Sequence, residues 1–269
     1  MRVGSRERHP TVAIVMLTAT DDAKLVQAAL EGGVYGYVVK PFEPSALTIA
    51  VSSAVRRREV ELENAEHRAQ LSELVRLKTR ELEESRAEAV QRLALAVESR
   101  DSETGAHVER MSNLAGRIAA VLGCDEQEVE TLRLASVLHD VGKVGVPDAI
   151  LRKPGALDLE ARRLMETHPS IGHAILTGAE SDLLRVADTI AWTHHERLDG
   201  SGYPRGLKGA EIPLAGQIAA VADVFDALTS DRPYRPAFRR DDALELVEQD
   251  RGVKFDDRVV DALVTALAS

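Results

Sequence analysis

Glu103, His107, His139, Asp140, His168, His194, His195 and Asp223 place imidazoles and carboxylates at intervals that a bound metal cluster would use. They include five of the chain's eight histidines. Mixed imidazole and carboxylate donors suit a hydrolytic site of two or three ions. Neutral imidazole accepts Fe, Mn or Zn, and carboxylates bridge ions and balance their charge. The single cysteine, Cys124, is not needed by this set, which excludes a thiolate zinc cage.

The elements that carry these residues can be read from pattern. Glu103 and His107 are four apart and share one face of a helix. The stretch LRLASVLHDVGKVGVP is apolar and helical until Asp140, where Gly142, Gly145 and Pro147 break it. His168 precedes Pro169, which marks a helix start. His194 and His195 close the helix LLRVADTIAWTHHE just before the glycine-rich LDGSGYPRG. Asp223 lies inside the apolar helix IAAVADVFDALTS, where a lone acid needs a partner and a metal is one candidate. Each residue alone has a plainer reading. His107 could be solvated, His168 could be a turn residue, and Asp223 could pair with an arginine. The adjacent pairs 139–140 and 194–195, taken with the rest, favour the metal.

Several separated motifs resemble the HD-GYP phosphodiesterases of bacteria: HDVGK at 139–143, HHERLDGSGYP at 194–204 and DVFDALTSDRPYR at 223–235. SETGAHVERM upstream and GVKFDDRVVDAL near the C-terminus look like that family's flanks. The resemblance implies a mainly α protein with an all-helical HD-type catalytic domain that hydrolyses cyclic di-GMP. It also implies that the eight residues above are the ligands of two or three divalent ions of the iron or manganese type. The glutamate matched by Glu103 goes with three ions, and its absence with two. His139, Asp140 and Lys143 match the catalytic motif, and Lys143 resembles a phosphate contact. Gly202, Tyr203 and Pro204 match the residues that name the family, and Arg232 and Arg235 resemble phosphate clamps.

Chemistry points the same way. A phosphodiester is anionic and resists attack by neutral water, and metal ions answer both problems. Arginine suits bidentate phosphate contact and lysine acts as a point charge. Surface solubility is the plainer reading of Arg232 and Arg235. Tyr203 could stack on a guanine or pack the turn. The products would be the linear dinucleotide pGpG, GMP, or both. Two alternatives stand beside this reading: a relative acting on another cyclic dinucleotide, and a catalytically silent scaffold that binds cyclic di-GMP or a partner protein.

With 269 residues there is room for one or two domains and a connector. The formal net charge of −10 argues against nonspecific nucleic-acid binding. One cysteine excludes an intrachain disulfide and fits a reducing compartment. No apolar run approaches the roughly 18 residues that would span a bilayer. No signal-peptide pattern follows the basic MRVGSRERHP, so the expected location is cytoplasmic. Aromatics make up only 3%, so the core must be built from Leu, Val, Ile and Ala.

Residues 1–55 have a βαβα order, which implies a parallel sheet. They resemble the C-terminal half of a response-regulator receiver domain. Thr18 matches its switch threonine, Tyr37 its switch aromatic, and Lys40 the lysine before a proline that is usually cis. The first three receiver strands, with the acidic pocket and the phospho-accepting aspartate, are missing. This partial α/β fragment is therefore expected not to respond to phosphorylation. Residues 56–95 contain no Gly or Pro and would extend about 60 Å as one helix. Val75, Leu82, Ala89 and Ala96 recur every seven residues, and Leu71 and Leu93 extend the stripe imperfectly. A parallel coiled coil that pairs two chains is expected, with a single solvated helix as competitor. Residues 96–269 would form the catalytic domain, in a homodimer whose other partners are signalling proteins.

Overall fold

The computed structural model describes residues 11–100, 105–231 and 235–268, and the expectations for Glu103 and Arg232 lie outside them. The chain divides into two compact units, Met1–Glu83 and Glu84–Ser269.

In the first unit, strand β1 (Val15–Thr18), helix α1 (Ala23–Glu31) and strand β2 (Gly36–Val39) form one parallel crossover. Val15 stands opposite Gly36 and Thr18 opposite Val39. Helix α1 begins where Asp22 accepts the Lys24 N–H at 2.9 Å. It ends at Gly32 and Gly33, the latter at φ 92°, a conformation that glycine adopts without strain. The Lys40–Pro41 peptide is cis, and helix α2 (Pro44–Glu98) follows with proline at its first position. Val26, Val34, Val38 and Ala54 are each buried. Tyr35 donates its hydroxyl hydrogen to Glu61 and accepts from Arg58 Nη1 at 2.8 Å.

Helix α2 runs unbroken for 55 residues, so the expected boundaries at 55/56 and 95/96 both fall inside it. Leu71, Val75, Leu82 and Leu93 are exposed along it. Ion pairs one turn apart, such as Glu73–Arg76 at 2.7 Å and Glu88–Arg92 at 2.6 Å, support its polar surface.

The second unit is all-helical. Its longer helices are α3 (Gly105–Val121), α4 (Glu126–Ser136), α7 (His168–Leu176), α8 (Asp182–Thr193), α9 (Leu214–Thr229), α10 (Arg240–Gln249) and α11 (Asp257–Ala268). The short α5 (Asp148–Leu151) and α6 (Leu159–Met165) lie between α4 and α7 in sequence. A capping box starts α4: Asp125 accepts from Glu128 N at 2.8 Å, and Glu128 accepts from Asp125 N at 2.9 Å. Two aliphatic clusters form the core. One gathers Met111, Ile118, Ile218 and Leu263; the other gathers Val108, Leu138, Ala187 and Ile190. Ala115, Ala191, Ala219 and Ala222 are wholly buried, and their small side chains let the helices approach closely. Phe225 and Phe255 are the aromatic members of this core, as the scarcity of aromatics requires.

The space in which the histidines meet depends on one glycine. The chain leaves α4 through a turn and then makes a 3₁₀ helix, Val141–Gly145. A Cβ on Gly142 would lie 1.9 Å from the His168 carbonyl oxygen and 2.5 Å from Gly172 N. Only glycine allows this turn to abut the start of α7.

Candidate metal centre

Three imidazoles are oriented by backbone carbonyls. His139 Nδ1 is 2.9 Å from Ser136 O, His168 Nδ1 is 2.8 Å from Met165 O, and His194 Nδ1 is 3.0 Å from Ile190 O. A carbonyl only accepts, so each Nδ1 carries the hydrogen. In the neutral ring this leaves the Nε2 lone pair pointing the other way.

Those Nε2 atoms converge on Asp140. Its Oδ1 lies 3.1 Å from His168 Nε2 and 3.6 Å from His194 Nε2, and its Oδ2 lies 3.3 Å from His139 Nε2. The Nε2 atoms of His168 and His194 face each other at 3.3 Å. His139 Nε2 and Asp140 Oδ1 are buried and make no hydrogen bond of good geometry among the described residues. Converging lone pairs repel unless a cation sits among them. This donor set therefore fits divalent metal ions.

Among the described residues two donor groups can be distinguished. One atom from each of Asp140, His168, His194 and His195 lies within 4.8 Å of the others, and the same holds for Glu98, His107 and His139. His107 is held from behind. Its Nδ1 is 2.7 Å from Asp226 Oδ2, and Arg110 grips that carboxylate with Nε at 2.7 Å and Nη2 at 2.9 Å. This carboxylate–histidine pairing directs His107 Nε2 into the site. Asp223 Oδ1 lies 3.5 Å from that Nε2, at the margin of the second group.

The field of the site is cation-seeking. Burial opposes ionisation of His139, but the carboxylate of Asp140 outweighs it and, with Asp223 and Glu98, raises its pKa to about 10. A field that draws a proton there draws a metal ion as well. Burial also opposes the charge on Asp140, yet Lys143 and His139 hold its carboxyl well below the usual range. Lys143 Nζ stands 2.7 Å from Asp140 Oδ2. Burial, followed by the neighbouring imidazoles, pushes His195 well down, and burial also lowers His194 despite Asp140. Both rings thus stay neutral, the form that can ligate.

A loop closes one side. Tyr203 lies 4.7 Å from His195 between ring centroids, and its N–H donates to His195 O at 3.2 Å. The Tyr203–Pro204 peptide is cis. Gly202 lies so near Glu196 and Arg197 that a Cβ would come within 2.5 Å of both. Glu196, itself buried, accepts the N–H groups of Arg205 at 2.8 Å and Leu207 at 2.9 Å, which stitches the loop to the end of α8. Burial and then Asp140 push the Tyr203 hydroxyl upward, so it remains a hydrogen-bond donor.

Residues 90–259 match the family model described as HD domain. The chain belongs to the HD-domain family. It is 44% identical over 261 residues to the cyclic di-GMP phosphodiesterase response regulator RpfG of Xanthomonas campestris pv. campestris, covering 97% of this chain and 69% of that protein. It is 37% identical over 266 residues to a cyclic di-GMP phosphodiesterase of Thermotoga maritima, covering 96% of this chain and 72% of that protein. The crystal structure of a cyclic GMP-AMP specific phosphodiesterase of Vibrio cholerae superposes with a TM-score of 0.52 at 20% identity, over 68% of this chain and 49% of that one, which shows the shared fold.

The HD domain brings together His107, His139, Asp140, Lys143, His168, His194, His195, Tyr203 and Asp223. Arg235 stands differently. It donates from Nη2 to Ala227 O at 2.8 Å and lies over the Phe238 ring at 4.3 Å, while its Nη1 is buried without a hydrogen bond among the described residues. Reading the sequence did not single out Glu98, Asp226 or Glu196. Asp226 was within reach, because it lies three residues after Asp223 on the same helix. The other two look in sequence like ordinary charges on a helix and in a turn. No helix among the described residues is long and apolar enough to cross a membrane.

Proposed function

We propose that this chain is a metal-dependent phosphodiesterase that hydrolyses cyclic di-GMP to pGpG, GMP or both. The observation that carries the reading is the convergence of imidazole Nε2 atoms on the buried Asp140 carboxylate, in an HD domain whose relatives named as cyclic di-GMP phosphodiesterases share 37–44% of their aligned residues. His107, His139, Asp140, His168, His194, His195 and Asp223, with Glu103, would hold two or three ions of the iron or manganese type. Bound divalent ions supply a hydroxide nucleophile at neutral pH and neutralise phosphoryl oxygens.

The chain's own residues do the rest. Lys143 keeps Asp140 ionised and sets a fixed positive charge beside the site, where a phosphate oxygen would lie. Asp226 and Arg110 hold the His107 ring in one orientation. The Gly202–Pro204 turn, pinned through Glu196, presents the Tyr203 ring and its protonated hydroxyl to the substrate. Arg235, and Arg232 beside it in sequence, would meet the second phosphate. The test is hydrolysis of cyclic di-GMP by anaerobically purified protein supplied with Fe(II) or Mn(II), with cyclic GMP-AMP run in parallel and products separated by chromatography. Metal-loaded protein that cleaves neither nucleotide would overturn the reading.

The proposal extends to architecture. Residues 1–55 serve as a receiver-like fragment, supported by the parallel crossover carrying Thr18, Tyr37 and the cis Lys40–Pro41, and by a relative named as a response regulator that aligns over 97% of this chain. Residues 56–95 serve as a coiled-coil connector that makes a homodimer, supported by the exposed stripe Leu71, Val75, Leu82 and Leu93. Residues 96–269 carry the catalysis, in the cytoplasm and with signalling proteins as further partners.

A further inference from the structure

Glu98 is the last residue of α2 and is 3% exposed. A carboxylate held that far from water is costly unless cations compensate it. One of its oxygens and one ring nitrogen from each of His107 and His139 lie within 4.8 Å of one another, all three residues being buried. His107 has its Nδ1 committed to Asp226 and His139 its Nδ1 committed to Ser136 O. Each therefore offers Nε2 to the space that Glu98 enters. Two imidazoles and one carboxylate are a donor set that binds Fe(II) and similar ions while leaving positions open.

Arginine side chains anchor the chain just after this glutamate. Two residues later, Arg100 donates to Val144 O at 2.5 Å, to Val146 O at 3.1 Å and to Asp148 Oδ1 at 2.7 Å. In return, Arg152 Nε donates to Arg100 O at 2.8 Å. The exit of α2 is thus clamped to the 3₁₀ turn that follows Asp140 and bears Lys143.

We propose that Glu98 is a metal ligand, completing with His107 and His139 a second metal position beside the one made by Asp140, His168, His194 and His195. Glu98 is not among the eight residues that the sequence resemblance assigns, and the inference rests on the metal-dependent reading above. It gives one ion a donor from the connector helix, while the donors of the other ion all come from the helical domain. A shift of α2 along its axis would move that one ligand and leave the four-donor group intact.

The experiment compares wild type, Glu98→Gln, Glu98→Asp and Glu103→Gln as full chains. Each is titrated with Mn(II) by calorimetry, desalted for elemental analysis, and recorded by electron paramagnetic resonance. Wild type is expected to hold at least two ions with a spin-coupled spectrum. Glu98→Gln is expected to hold one ion fewer and to give the six-line signal of isolated Mn(II). Glu98→Asp, which keeps the charge on a shorter arm, is expected to weaken that ion by about tenfold or more. Circular dichroism checks each fold, and Glu98→Asp decides if Glu98→Gln fails to fold. Full stoichiometry and a coupled spectrum in Glu98→Gln, unchanged affinity in Glu98→Asp, or loss of the ion in Glu103→Gln alone would overturn the assignment. Wild type that binds both ions without hydrolysing cyclic di-GMP would instead overturn the proposed function and leave the Glu98 assignment standing.

Discussion

Replacing Asp226 with asparagine tests whether the site is tuned from behind its ligands. The substitution keeps shape and removes charge. In the native chain this carboxylate receives Arg110 Nε at 2.7 Å and Nη2 at 2.9 Å, and lies 2.7 Å from His107 Nδ1. Charge-assisted bonds of this kind contribute roughly 1.5–3 kcal/mol each. Asparagine keeps one uncharged oxygen and turns an NH₂ group toward either His107 Nδ1–H or Arg110 Nε–H, so one of the three contacts becomes a donor–donor clash and the others lose their charge. The contact that fixes the His107 tautomer is thereby weakened. Loss of such an orienting partner weakens metal binding by about 10–100-fold, or roughly 1.4–2.7 kcal/mol. The loss should fall on the ion nearest His107 and spare the one held by Asp140, His168, His194 and His195. Mn(II) calorimetry on Asp226→Asn resolves the two, with urea denaturation of the metal-free protein as the fold control. Equal weakening of both ions, or unchanged affinity for both, would refute the reasoning.

Three further outcomes are expected. Gly142→Ala puts a methyl 1.9 Å from the His168 carbonyl oxygen, so the turn must separate from α7. A loss of about 3 kcal/mol in urea denaturation and a fall in metal content should follow, and a wild-type midpoint would contradict the close approach. Glu196→Ala leaves the N–H groups of Arg205 and Leu207 without their acceptor. It should raise KM for the cyclic dinucleotide with metal content intact, and an unchanged KM would remove the loop from substrate binding. Val75→Glu combined with Leu82→Glu places charges on the exposed stripe of α2 and should give a monomer by light scattering, whereas a persisting dimer would locate the interface elsewhere.

The candidate ligands stood out in the sequence because their chemistry is rare there: the adjacent pairs at 139–140 and 194–195 and an acid within an apolar helix have few other uses. Pro169 marked the start of α7, since proline acts through local backbone geometry, but α4 ends at Ser136, four residues before the expected end at Asp140, because the chain turns before entering the 3₁₀ helix. The supports were not legible, because their role is set by contacts between distant segments. Arg110 meets Asp226 across 116 positions, and Arg100 meets the 3₁₀ turn across more than 40. Apart from Asp226, which shares a helix with Asp223, nothing local distinguishes these residues from solvated charges. The boundaries expected at 55/56 and 95/96 fall inside α2 for a related reason. A helix that passes from a partly buried stretch to a solvated stretch changes composition near 55 without changing conformation, and pattern registers the first change only.

Three of the imidazoles stand at helix ends, and this explains how the site can be both rigid and cation-seeking. His139 follows α4 and bonds the carbonyl of its last residue, Ser136. His194 follows α8 and bonds the Ile190 carbonyl in its last turn. The final carbonyls of a helix carry the negative end of its dipole. Each such histidine adds its Nδ1–H to a terminal carbonyl that already accepts its own backbone N–H, takes its tautomer from that bond, and delivers its lone pair to a place where negative helix ends already favour positive charge. His168 follows the same rule from the start of α7, because the carbonyl it bonds belongs to Met165, the last residue of α6. Its Nε2 then lies 3.1 Å from Asp140 Oδ1, so a third helix end and the carboxylate act on the same point.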